Sequence, residues 1–116
     1  MSDKAASIID RAKSHYRELG ERRIEVPEWG DESGPLVIFA TPFTLAEKNK
    51  LYRLAKDDNL ELLAYTLILK ALDKDGNKLF TLEHKHALVN SVDSNVLARV
   101  AAQIGDSTPP EVMEKN

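Results

Sequence analysis

The sequence contains no cysteine. That excludes disulfide staples, thiol nucleophiles and thiolate metal sites, and it suits a reducing compartment. Aromatic residues are scarce, at 6%, so aliphatic side chains must build the core. Basic residues do not cluster. The adjacent basic pair is Arg22-Arg23 and the formal net charge is -3, which leaves out the basic face that a nucleic-acid partner needs. No apolar run reaches the roughly 20 residues of a membrane span. The Gly-rich phosphate loop and the G-x-S-x-G elbow are also missing. Met1-Ser2-Asp3-Lys4 opens no signal-peptide segment. Together these absences predict a cytoplasmic, non-catalytic chain with no cofactor, no metal, and no nucleic-acid or membrane partner.

What is present fits one domain with one core: 116 residues, 42% hydrophobic and 30% charged. The chain is organised around Leu60 to Leu72, where only Glu61, Thr66 and Lys70 are polar. An element apolar on most sides needs neighbours on most sides, so this run predicts a buried central helix. Before it, Thr44-Leu45-Ala46-Glu47 is a capping box that opens a helix to about Lys56. Asp58 with Glu61 repeats that logic for the central helix. Downstream, Thr81 can cap a helix to about Ser91, and Asp93 or Ser94 a last one to Ile104, with Gly105 as its stop.

The N-terminal part differs. Ala5, Ile8, Ile9, Ala12, Tyr16 and Leu19 recur at helical spacing between a cap at Ser2 or Asp3 and a stop at Gly20. Such a stripe docks on its own domain or on another copy. Arg22 to Val26 alternates and ends at Pro27; Leu36 to Phe39 is a second β-rich run closed by Pro42. They read as a β-hairpin whose loop is too long for a two-residue turn, with Pro27 and Pro35 confined to edges. A lone hairpin is marginal in water, so it must lie on helices or join a partner's strands.

Candidate sites are few. Asp73, Asp75 and Asn77 suggest calcium, but an EF-hand needs Gly at position 6 and Glu at 12. Counted from Asp73, Gly76 stands at position 4 and His84 at 12. Asp73, Asp75, Gly76 and Asn77 therefore read as a turn, with Gly76 supplying positive φ. His84 and His86 are two apart and point in different directions on a helix. Trp29 is the only tryptophan. It either seals one end of the core or anchors an interface, where Trp is enriched.

Two stretches, Ile24-Glu25-Val26-Pro27-Glu28-Trp29-Gly30 and Asp73-Lys74-Asp75-Gly76-Asn77-Lys78-Leu79-Phe80-Thr81, resemble in order and spacing the tail assembly chaperones of long-tailed bacteriophages. The likeness runs from about Ile24 to Ile104. It implies a non-catalytic protein of the host cytoplasm that binds the tape measure protein and keeps it soluble while tail tube proteins polymerise round it. It also implies self-association, absence from the finished virion and, in many such chaperones, a longer form made by frameshifting. A retained tail or head-completion subunit is the alternative, and a small-ligand or metal-binding regulator a third.

The expected architecture is α+β and mostly helical: an N-terminal helix (1–20), a small β-hairpin (21–42), then a compact four-helix part (43–105) around the central helix. Residues 1–105 form one domain and 106–116 a flexible tail. The expected partner contacts are Ile24, Val26, Trp29, Leu36, Ile38 and Phe39, with Ile8, Ile9 and Tyr16 for self-association. These follow from apolar surface in excess of what a small helical core needs.

Overall fold

The computed structural model describes residues 3–56 and 58–105. The fold is α+β and mostly helical, with the helix first. Helix α1 (Asp3–Leu19) leads into strands β1 (Arg22–Asp31) and β2 (Gly34–Ala40), followed by α2 (Leu45–Ala55), α3 (Asn59–Lys70), a single 3-10 turn (Leu82–His84), α4 (Lys85–Asn90) and α5 (Ser94–Gly105). The expected Ser2 cap and the 106–116 tail lie outside the described residues, and Asp3 is the first residue of α1.

Local signals set most boundaries. Gly20 ends α1 at φ +67, a left-handed stop that glycine adopts without a Cβ clash. At α2 the capping box closes in both directions: Thr44 Oγ1 accepts the Glu47 N–H at 3.2 Å, and Glu47 Oε1 accepts the Thr44 N–H at 3.0 Å. Asp58 Oδ1 accepts the N–H groups of Leu60 and Glu61 at the start of α3. Asp93, not Ser94, caps α5, accepting the Val96 N–H at 3.0 Å. Each such cap contributes about 1 kcal/mol.

The core lies between the hairpin, α3 and α5. Val26, Ile38, Leu67, Val100 and Ile104 are the largest fully buried side chains, each worth roughly 1.5–3 kcal/mol of burial. Alternation along the strands puts Ile24, Val26, Ile38 and Ala40 inside and leaves Arg23, Glu25, Val37 and Phe39 on the other face.

Two expectations need correction. The apolar run does not stay helical to Leu72. Helix α3 stops at Lys70, and Leu72 instead exchanges two backbone hydrogen bonds with Phe39, at 2.8 and 3.0 Å, and bridges Lys78 on its other side. Its first leucine, Leu60, is 77% exposed. A run of apolar residues records burial, not conformation, and the β2 edge captured its end. The hairpin loop is also tight: Asp31 pairs Gly34, so Glu32-Ser33 is a two-residue turn. Strand β1 passes Pro27 by bulging. Pro27, Glu28, Trp29 and Gly30 face Pro35 alone, between the Val26–Leu36 and Asp31–Gly34 pairs.

Candidate partner-binding groove

The bulge makes the site. It swings Trp29 out of the ladder to meet Phe80 edge-on, with ring centroids 6.1 Å apart. It also turns Glu28 toward α5, where the Arg99 guanidinium donates both N–H arms to the carboxylate at 2.7 and 2.8 Å. That bidentate pair holds the Glu28 carboxyl down to about 2, the Arg99 hydrogen bonds being the main cause. Gly30 is required in the bulge. A Cβ there would lie 2.3 Å from the Gly34 carbonyl oxygen and 2.7 Å from Pro35 Cα.

Across from the hairpin stands the turn that follows Leu72. The Asp73 carboxylate accepts the N–H groups of Asp75 and Asn77, at 2.8 and 2.9 Å. Gly76 takes φ +84, and its N–H donates to the Asp73 carbonyl. Those amides, the Asn77 N–H first, keep the Asp73 carboxyl below the usual range. At the hairpin tip the Ser33 amide does the same for Asp31. Both carboxylates therefore stay charged at neutral pH.

Between hairpin and turn lies a groove of about 500 Å³. Trp29, Pro35, Leu36, Val37 and Phe39 give it apolar walls. Asp31, Asp73 and Asp75 set acids on its rim beside Arg23 and Lys74. The Arg23 guanidinium is already committed to Glu25, at 2.6 Å.

The expected contact residues divide. Trp29, Leu36 and Phe39 are half-buried and line this groove together. Ile24, Val26 and Ile38 do not reach it: they are at most 3% exposed on the inner face of the hairpin and form core, not surface. Pleating puts Phe39 on the opposite face from Ile24, Val26 and Ile38; Leu36, opposite Val26, and Trp29 pack in part against the core and reach the groove only at its edge. Of the self-association set, Ile8 and Ile9 are 51% and 54% exposed. Tyr16 is half-buried, and its hydroxyl donates to the Pro42 carbonyl at 2.7 Å, tying α1 to the body. Asp73 and Asp75 are groove residues as well as turn residues. Val37, Pro35 and Asp31 are lining residues that sequence reasoning missed; the alternation of β2 was the signal for Val37.

Among the described residues no group of three or more His, Cys, Asp or Glu side chains stands close enough to share a metal ion, and no helix is long and apolar enough to cross a membrane. One oxygen of the Asp73 carboxylate, Oδ1, accepts the Asp75 and Asn77 amides. Comparison with protein-family models, curated proteins and solved structures finds no match. The groove must therefore be read from its own chemistry.

Proposed function

We propose that this chain is a non-catalytic tail assembly chaperone that binds the tape measure protein of a long-tailed phage and keeps it soluble in the host cytoplasm until tail tube proteins assemble round it. The observation that carries the proposal is the groove, lined by the part-exposed Trp29, Leu36 and Phe39, with Asp31, Asp73 and Asp75 beside Arg23 and Lys74. One wall is formed at the bulge, where Gly30 leaves no room for a side chain. A groove with half-buried aromatic walls is suited to cover apolar side chains of another chain.

The exposed Ile8 and Ile9 on α1 supply a second apolar surface, which we assign to contact between copies. Many copies along one long client would bind by multivalency while each contact stays weak enough to be displaced. The likeness of Ile24–Gly30 and Asp73–Thr81 to the chaperones of long-tailed phages supports the choice of client.

Co-expression with a tape measure protein tests the proposal. The tape measure protein should move from the insoluble to the soluble fraction and co-purify with the chain. The chain should be absent from purified virions. Its presence there in stoichiometric amount would identify a structural subunit instead.

A further inference from the structure

We infer that the groove takes its client as an extended peptide, added as a short strand to the β2 edge at Val37, with apolar side chains against Trp29, Leu36 and Phe39 and basic residues beside Asp73 and Asp75. This rests on the partner-binding reading of the groove and names the form in which the partner is held.

The backbone provides the first argument. Phe39 uses its N–H and C=O on Leu72, away from β1. Backbone groups in a strand alternate sides, so those of Val37, two residues earlier, also point away from β1. The chain that pairs with Phe39 has left the sheet by then, turning at Asp73 to Asn77. Val37 therefore directs a donor and an acceptor into the groove it lines. An extended peptide satisfies both; a helix satisfies its own backbone and would leave them facing no protein partner. Pro35 has no N–H and limits the open edge to a few residues. The added strand is therefore short and its affinity modest.

Charge provides the second argument. Asp31, Asp73 and Asp75 line the groove with Arg23 and Lys74, and Arg23 is paired with Glu25. The rim thus favours a segment flanked by Lys or Arg.

Trp29 is the sole tryptophan and lines the groove, so its emission reports occupancy. The full chain is titrated with the capped peptide Lys-Lys-Val-Thr-Val-Thr-Val. Control titrations use its form N-methylated at the central valine, its Glu-Glu form, and an amphipathic helical peptide of Leu, Lys and Glu. Hydrogen exchange is followed at the Val37 amide. The first peptide should shift Trp29 emission and slow Val37 exchange at least tenfold. N-methylation and the Glu-Glu flank should each weaken binding about tenfold or more. Equal binding of the N-methylated peptide, or unchanged Val37 exchange at saturation, overturns the strand mode.

Binding of the helical peptide alone also overturns the strand mode but leaves the shielding role standing; no response to any peptide removes both. In the chain itself, Val37→Pro removes the groove-facing N–H and should cost tenfold in affinity with an unchanged circular dichroism spectrum. If that variant does not fold, exchange at Val37 in the unaltered chain decides.

Discussion

Glu47 carries two tasks on one oxygen. Its Oε1 accepts the Thr44 N–H of the capping box and, at 2.8 Å, the Lys70 ammonium. Lys70 has only 4% of its side chain exposed, and Thr41 Oγ1 at 3.0 Å completes its shell. Burial alone would raise the Glu47 carboxyl, but the Lys70 ammonium and the Thr44 amide outweigh it and hold it below its usual value. Removing one partner of a fully buried pair costs ~3–5 kcal/mol. Glu47 is 42% exposed, so water shares the load, and Glu47→Ala should cost about 2 kcal/mol. Lys70→Met removes the buried charge itself and should cost less than half of that. Urea unfolding of the two variants compares them; equal losses would refute the desolvation argument. Lys56 offers the opposite sign. It is the one non-glycine with positive φ among the described residues, at φ 55 and ψ -122. Lys56→Gly should relieve about 1 kcal/mol of strain and raise the melting temperature by ~5 °C.

At the scale of elements, the hairpin is decided by its irregularity. A regular ladder would have paired Glu28 and Trp29 with β2 residues; here Glu28 meets Arg99 and Trp29 meets Phe80. The bulge delivers both, and Gly30 permits it, because the atoms a Cβ would meet belong to the backbone of Gly34 and Pro35. Gly30→Ala should therefore destabilise the chain by about 2 kcal/mol and red-shift Trp29 emission as the ring leaves Phe80. Unchanged stability and emission together would show that the bulge adapts. Helix α3 teaches the complementary lesson. Its start at Asp58 and its apolar content are legible in the sequence. Its end is not, because Leu72 has as good a use in a strand as in a helix and the Phe39 edge decided between them.

For the whole molecule, the ion pairs fix how stability responds to pH. Glu28 in the folded chain sits at about 2, below its ordinary 4.5. A depressed carboxyl adds stability above its unfolded value and loses it as pH falls through the folded value. Stability should thus decline from about pH 4.5 toward pH 2, with Asp73, Asp31 and Glu47 adding in the same direction. Lys85 is raised above 10.5, chiefly by its hydrogen bond to Glu61, so its contribution holds below 10.5 and fades as pH rises beyond it. Arg99→Met should flatten the acid limb in urea titrations between pH 2 and 5. An acid limb of unchanged slope would separate Glu28 from acid stability. The exposed stripe of α1 acts at this scale too. Size measured across protein concentration should rise, and Ile8→Glu with Ile9→Glu should hold the chain monomeric. A strict monomer before substitution would remove α1 as a contact between copies.

Composition and pattern by themselves determined the class of the fold, the order of helix, hairpin and four helices, the caps at Thr44 and Asp58, and the turn at Gly76. These depend on interactions a few residues apart, which a sequence displays directly. The groove was decided only by tertiary structure. Trp29 meets Phe80 at a bulge, and the groove's far wall comes from a turn brought alongside by the Leu72–Phe39 pair. Hydrophobicity gives each residue a preference for burial, but the partner that buries it is distant in the chain and appears only when strands and helices meet.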